Sequence, residues 1–536
     1  MDKKVLLALA FAFLILGFYP VVLQKFYPEY GQEQKAAIVS KNVSENKTTV
    51  VSAKPFENIS ETDDVLFKND KLRLEFNPKG GVVRKVSFID YMDIENKGPL
   101  SLVSAKSSIG APLSVEILSP SAIVQDQTAK ISMGADSVSL VSPVLSNEVQ
   151  VTKNYAFRRS GYSADLSVVF KNTSEKAIDL QYELFAGSSI PARHSIDAQY
   201  IAANFFSMVE NRAKLRHVTE SKLGKTVHSE GSLEWVAIKD RHFSIIVKPK
   251  QANTFSGVVT GLGDHHFSAA LVSPKVSLAA GESITHEFLV YMGPNDLGEL
   301  LPLGLEDIVN FGKMDLIGKI FIGALEMLHK IFRNYGLAII ALTLLINLCL
   351  FPFTRQSLLS MKRMQAVQPQ IAKLREQYKD NPTRLNKETM EFYKKHKVNP
   401  FGGCLPMLLQ MPVFIALYVA ISKFVKLIGA DFLWIHDLSS PDAVPLPFTL
   451  PFLGNEIHVL PIIMIAAMVL QQRMTTMSME GQDPMVAQQQ KMMMVMMPVI
   501  FGFIFYTMPS ALVLYWLTNT IFMTSYQLYL KKSTAT

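Results

Sequence analysis

The feature that most constrains this chain is the stretch from Leu337 to Phe353, which carries no charged residue and whose only polar side chains of note are Thr343 and Asn347. At 1.5 Å per residue a helix of that length rises about 25 Å, enough to cross a thin bilayer. Similar runs follow. One extends from Cys404 to Ile428 and one from His458 to about Arg473. A longer one, Met492 to Leu530, is broken by Met508-Pro509-Ser510 into two. A further uncharged run, Val5 to Val22, follows Met1-Asp2-Lys3-Lys4. It reads either as a cleaved signal peptide or as a retained anchor. Its length and the lack of a small-x-small site after it favour the anchor. The chain is therefore expected to be a helical membrane protein with one N-terminal span and five C-terminal spans.

Loop charge sets the orientation. Residues 355–403 hold eleven Lys/Arg and four Asp/Glu, whereas residues 428–457 hold four Asp/Glu and neither Lys nor Arg. The positive loop belongs in the cytoplasm and the acidic one outside. Alternation then gives an anchor over 1–23, a second span over 334–354, a cytoplasmic hairpin over 355–403 and a third span over 404–428. An outer loop over 429–457 and a fourth span over 458–473 follow. A cytoplasmic loop over 474–491, spans over 492–508 and 510–530, and a short cytoplasmic tail over 531–536 complete the chain. Both termini lie in the cytoplasm, and everything between the first two spans lies outside.

That outer part begins with a polar linker, 24–62, and continues as a domain over 63–309. In Lys71-Leu72-Arg73-Leu74-Glu75-Phe76 the apolar residues alternate, Lys79-Gly80-Gly81 supplies a turn, and Val82 to Ile89 returns. Similar strand patterns recur at 162–170, 233–238, 243–247 and 284–291. They predict an all-β sandwich, with Trp235 and Tyr291 as core aromatics. Residues 310–333 have another character: Ile317, Ile320, Phe321, Ala324, Leu328, Ile331 and Phe332 fall on one helical face. An amphipathic helix lying along the outer membrane surface is expected, or else a helix packed on the sandwich.

In the hairpin, Met364, Val367, Ile371, Leu374 and Tyr378 keep coiled-coil spacing. Asn381 is placed to cap a second helix, with Pro382 at its first position. The exposed cations Lys362, Arg363, Lys373, Arg375, Lys394 and Lys395 suit topology alone, or an anionic partner such as ribosomal RNA or anionic lipid.

Inside the spans the chemistry is polar but neutral: Thr343, Asn347, Gln410, Gln471, Thr518 and Asn519. Thr343 and Asn347 are four apart and share a helix face. Such groups either hold a bundle together or line a cavity. No acid or arginine sits mid-span, which argues against an ion-coupled transporter. Lys423 and Lys426, near an outer end, can snorkel. The two cysteines, Cys349 and Cys404, lie in apolar runs and form neither a disulfide framework nor a metal spacing. Twelve of the 25 methionines fall between Met464 and Met508. These flexible side chains suit either gap-filling and lipid contact or promiscuous helix binding.

Several segments then resemble one family. Asn399-Pro400-Phe401-Gly402-Gly403-Cys404-Leu405-Pro406, continuing through Gln410-Met411-Pro412-Val413-Phe414, is similar to the third-span signature of the YidC membrane protein insertases. So are Leu433-Trp434-Ile435-His436-Asp437-Leu438, Asp483-Pro484-Met485, Met497-Pro498-Val499-Ile500-Phe501 and the last-span stretch Pro509 to Trp516. Asn77-Pro78-Lys79-Gly80-Gly81 and Tyr291-Met292-Gly293-Pro294 resemble the large periplasmic domain of Gram-negative members, a sandwich of galactose-mutarotase type.

The resemblance implies a non-enzymatic insertase and chaperone of the bacterial inner membrane, with its large domain in the periplasm. A hydrophilic groove would take the polar part of a nascent segment while the apolar part slides into lipid. Thr343, Asn347, Gln410, Tyr515, Trp516 and Asn519 are the expected groove residues. Implied partners are nascent membrane proteins, the Sec translocon, membrane lipid and, transiently, the ribosome. No cofactor, metal or specific DNA is implied. The family's usual groove arginine is replaced here by Asn347, and Trp516 stands where a tyrosine is familiar. A solute transporter or channel is the alternative, and a sugar-modifying enzyme built on the β-domain is a third class.

Overall fold

The alternating pattern of Val149–Phe157, in which every second residue is buried, belongs to a nine-stranded antiparallel sheet. The computed structural model describes residues 64–532, apart from internal stretches at 94–97, 105–109, 123, 125–126, 189–199, 211, 219–224, 252–254, 264–265, 379–380, 397–404, 451–453 and 477–495. The expected anchor, the linker, most of the loop at 474–491 and the end of the tail lie outside the described residues, as do the motifs 399–404 and 483–485.

The nine strands run in space as Arg212–Val218, Ala202–Val209, Ser232–Lys239, Phe243–Pro249, Ser283–Pro294, Ser163–Asn172, Val149–Phe157, Ser137–Val141 and Lys130–Met133. Stacked on this sheet are a six-stranded sheet built around Ile178–Ser188 and a four-stranded one, Val65–Lys68, Leu72–Asn77, Val82–Asp93 and Gly98–Ser104. Phe88 of the small sheet stacks on Phe243 of the large one, with centroids 4.4 Å apart. Trp235 and Tyr291 are fully buried, as core aromatics should be. The turn at Gly80-Gly81 has both glycines at positive φ, which an L side chain adopts only with strain.

The sandwich is larger than the sequence patterns suggest. Ser256–Gly263 and His266–Val272 were not foreseen as strands. Their glycines, alanines and serines give a weak alternation signal, and sheet pairing rather than propensity holds them.

After the sandwich, a strap of short 3-10 turns (306–314) leads into seven helices among the described residues: α1 Asp315–Phe332, α2 Tyr335–Gln377, α3 Pro382–Lys395, α4 Leu405–Lys423, α5 Val459–Thr476, α6 Met496–Phe505 and α7 Ser510–Lys532. Among the described residues one helical segment, Tyr335–Ser360, is long and apolar enough to cross a membrane by length and composition; Gln410–Lys423, Val459–Arg473 and Met496–Phe505 are shorter apolar helices.

The expected second span and the helix expected after it are continuous in α2. It runs unbroken through Pro352 and Pro369 into the first arm of the hairpin, so span and arm are one rod. In α1, Gly318, Ile322 and Leu325 are buried, Phe321, Ala324 and Leu328 of the apolar face are partly buried, and Ile317, Ile320 and Ile331 of that face are exposed.

The hairpin turn is as read. Asn381 Oδ1 accepts from Arg384 N at 3.0 Å, and Pro382 opens α3. Ile371 is the buried member of the seam. An unforeseen two-stranded ribbon, Val444–Leu450 with Gly454–Ile457, stands in the outer loop.

Candidate functional site

Thr343 and Asn347 lie on a buried face of α2, fully and 94 % hidden respectively (0 % and 6 % exposed). In an apolar setting every hydrogen-bonding group needs a partner, and each finds one on its own helix. Thr343 Oγ1 donates to Ile339 O at 2.7 Å, and Asn347 Nδ2 donates to Thr343 O at 2.9 Å. A carbonyl can only accept, so the Asn347 amide is fixed with Oδ1 turned away from the helix backbone. The same face continues downward to Thr354 and Ser357, both buried.

α7 packs against α2 and α5. Gln410 of α4 reaches across to it and donates from Nε2 to the Tyr515 hydroxyl. One residue on, Trp516 sits in an aromatic nest: Phe414, Phe501 and Phe505 have ring centroids 5.1, 5.2 and 5.2 Å away. This nest joins α4, α6 and α7. Thr518, Thr520 and Thr524 each donate back to the carbonyl four residues earlier. The Asn519 amide oxygen is buried with no hydrogen-bond partner among the described residues.

The structure thus brings Gln410 into contact with Tyr515, and Trp516 against the helix that carries Gln410. Among the described residues no hydrogen bond joins Thr343 or Asn347 to them. The sequence reading missed Thr354, Ser357, Thr520 and Thr524. Thr520 and Thr524 repeat the four-residue spacing of Thr343 and Asn347, and that spacing was the available signal.

The N-terminal ends of α2, α5 and α7 are joined by one segment, 431–442. Asn334 caps α2 by accepting from Leu337 N and donates to Asp431 O at 3.0 Å. Leu438 O and Ser440 O accept from Ala511 N (3.0 Å) and Ser510 N (2.8 Å), the first amides of α7. Asp442 Oδ2 accepts from Leu460 N at 2.8 Å, in the first turn of α5. Helix N-termini leave backbone N–H groups without intrahelical partners, and this loop supplies acceptors for three of them, two on α7 and one on α5.

Lys423 and Lys426 do more than snorkel. Lys423 Nζ donates to Asn310 O in the strap at 2.6 Å, and Lys426 Nζ pairs with Asp296 (3.0 Å) and with Glu326 of α1 (2.6 Å). From the sandwich side Lys239 Nζ donates to Ile308 O at 2.8 Å. The strap is therefore held by a lysine from each body. In the hairpin, Arg363, Lys373, Lys394 and Lys395 are exposed and Arg375 is half-buried. Lys362 falls on the same helix α2. Met464 and Met468 are buried packing residues, while the methionines at 477–494 lie outside the described residues.

No cluster of three or more metal-binding side chains exists among the described residues.

Both parts of the chain match known protein families. Residues 64–323 match the family described as the YidC periplasmic domain, and residues 327–536 match the family described as 60Kd inner membrane protein. The chain is 32 % identical over 485 residues to the membrane protein insertase YidC of Geobacter sp. (strain M21), covering 88 % of this chain and 86 % of that one. It is 29 % identical to the protein of that name from Geotalea daltonii, over 99 % of both chains. A solved structure described as an active YidC insertase with its first transmembrane domain resolved aligns over 95 % of this chain and 99 % of that one, at 18 % identity and a TM-score of 0.39.

Proposed function

The chain belongs to the YidC family of membrane protein insertases, and from that premise we propose that it inserts nascent hydrophobic segments through the polar seam between α2, α4 and α7. It is an inner-membrane protein with a periplasmic β-sandwich domain and a helical core. The observation that carries the groove reading is the joint placement of Gln410, Tyr515 and Trp516 at one helix junction, beside a helix whose buried face bears Thr343 and Asn347.

The physical logic is one of cost. A polar flank of a client segment pays heavily to enter hydrocarbon. Uncharged hydrogen-bonding side chains and the water they hold lower that cost locally, and the aromatic nest at Trp516 offers the apolar part of the client a surface facing lipid. A neutral seam can do this without direct ion pairing, so acidic and basic flanks are treated more alike than they would be beside a fixed cation.

The finer assignments belong to the same reading. Six spans, cytoplasmic termini, a chaperone role, cooperation with the Sec translocon and transient ribosome contact through Lys362, Arg363, Lys373, Arg375, Lys394 and Lys395 fit the loop charges and the basic hairpin. The transporter alternative lacks a central ionisable group, and the sugar-enzyme alternative would place function in the β-domain.

Photo-crosslinkers at Thr343, Gln410 and Trp516 are expected to capture a stalled single-span nascent chain. A correctly folded protein that gives no adduct at any of the three excludes this groove. Solute flux that stops on depletion while membrane insertion continues would instead favour the transporter.

A further inference from the structure

The periplasmic segment 431–442 holds a pin that the insertase reading does not use. Phe432 and Ile435 exchange backbone hydrogen bonds at 2.8 and 2.9 Å, closing a two-residue turn over Leu433 and Trp434. Leu433 sits at φ +54°, a left-handed conformation that a branched residue adopts at a cost. Something must hold the turn, and two contacts do. The Phe432 ring lies so close to Gly336 at the head of α2 that a Cβ there would be 2.1 Å from it. On the other side, Trp434 Nε1 donates to Asp442 Oδ2 at 3.1 Å.

The same carboxylate oxygen accepts from Leu460 N of α5. Asp442 is 2 % exposed. One oxygen thus joins the turn to the α5 head, while the chain between them caps α7 through Leu438 and Ser440. The outer ends of α2, α5 and α7 are held to one plug, and α4 leads into it by chain continuity.

We propose that Asp442 is the positioning residue of an outer seal: by holding Trp434 and the head of α5 together it keeps the groove closed to the periplasm while a client occupies it from the cytoplasmic side. The client's polar flank then meets hydration from one side only, and ions do not leak past it. This inference rests on the groove reading given above.

The test uses the full chain with Cys349→Ala and Cys404→Ala, and a single reporter, Asn519→Cys. A membrane-impermeant maleimide is applied to right-side-out and to inverted vesicles. The parent is expected to react from the cytoplasmic side alone. Asp442→Ala is expected to react at least tenfold faster than the parent from the periplasmic side. Asp442→Asn, which keeps an acceptor, should restore most of the closure. Trp434→Phe, which keeps the ring and loses the donor, carries the test if Asp442→Ala does not fold. Periplasmic labelling that stays at the parental rate in folded Asp442→Ala or Trp434→Phe overturns the seal. A parent that fails to react from the cytoplasmic side refutes the groove instead, while a rise in outer labelling among the variants still reports the seal.

Discussion

Asn347 turns its side-chain amide back onto its own helix, with Nδ2 donating to the Thr343 carbonyl at 2.9 Å. Among the described residues the amide makes no hydrogen bond to a second helix. Replacing Asn347 by alanine strands no partner, since the Thr343 carbonyl remains in the backbone ladder of the helix. Stability in detergent should change by roughly 0.6 kcal/mol or less, the usual scale for a polar group in a membrane bundle. Insertion of a neutral-tailed client should persist. Asn347→Asp is a different matter, because a carboxylate at a site 6 % exposed has no cation among the hydrogen-bond partners there. Its cost should be about 2.5–3.5 kcal/mol, visible as loss of folded protein on thermal unfolding. A null phenotype from Asn347→Ala would mean that Oδ1 makes a specific bond to the client.

Gln410 and Tyr515 behave oppositely, because their hydrogen bond crosses from α4 to α7. Single changes, Gln410→Ala or Tyr515→Phe, should each destabilise the bundle, and the double variant should cost less than their sum. A coupling of about 0.5–1.5 kcal/mol in a double-mutant cycle is expected. Strict additivity would show that the two side chains do not act as a pair.

Gly502 of α6 packs against α5 so closely that a Cβ would come within 2.3 Å of Ile465 Cδ1. Gly502→Ala should therefore overpack the contact and cost about 1–3 kcal/mol. Adding Ile465→Ala should recover part of that loss, since it removes the atoms that clash. Thermal unfolding of the two single variants and the double reads this directly. Equal destabilisation with and without Ile465→Ala would place the fault elsewhere.

These residues also show where the sequence is readable and where it is not. Hydropathy runs and turn chemistry act locally, so the Asn381 cap, the Gly80-Gly81 turn and the apolar part of α2 could be read in advance. The alternating strands could be read wherever one face is buried. Which apolar residues of α1 pack on protein could not, because hydropathy alone does not separate a protein contact from a lipid contact. The strands around Gly257 and Ala269 were hidden by small residues whose order comes from sheet neighbours. The groove candidates were picked as polar residues in apolar runs, which finds Thr343 and Gln410. It cannot tell that Gln410 meets Tyr515, 105 positions away. Asp442 was missed for a related reason. It lies in an acidic outer loop where a carboxylate is unremarkable, and its role depends on Trp434 and Leu460 folding against it.

Loss of the hairpin cap gives a local test of the basic arm. Asn381→Ala removes the acceptor for Arg384 N and should cost α3 about 1 kcal/mol. Hydrogen exchange in 382–395 should quicken while the sandwich amides stay protected. Charge reversal at Lys394 and Lys395 leaves the cap intact. If the hairpin meets an anionic partner, it should weaken salt-sensitive ribosome or anionic-vesicle binding without that faster exchange.

The pH response of the sandwich between pH 5 and 10 follows from six buried or half-buried groups. Burial lowers Lys153, which donates to Leu113 O at 2.9 Å, to about 7, and Lys239 is lowered to about 7 by burial with Lys423 nearby. Glu183 is raised to about 7 by burial and by Glu116, its cross-strand partner, which burial also raises. For the lysines the unfolded chain binds more protons between pH 7 and 10.5, so their contribution to stability grows as pH rises through that window and is lost as pH falls through 7. For Glu183 the folded chain holds the extra proton, so its contribution is present below pH 4.5 and lost as pH rises to about 7. His217, lowered to about 4 by burial, and His286, also lowered by burial, oppose Glu183 below pH 6.5, because there the unfolded chain binds the extra proton. Trp235 is one of three tryptophans, so Trp434→Phe with Trp516→Phe makes its fluorescence report the sandwich alone within the full chain. The urea midpoint should change little from pH 5 to 7, where Glu183 and the two histidines offset each other, and rise from pH 7 to 10. Glu183→Gln should turn the first limb upward and Lys153→Met should reduce the second. A midpoint that rises steadily from pH 5 to 7 in the unsubstituted sandwich would mean that Glu183 is ionised at its site, with a cation or water compensating it.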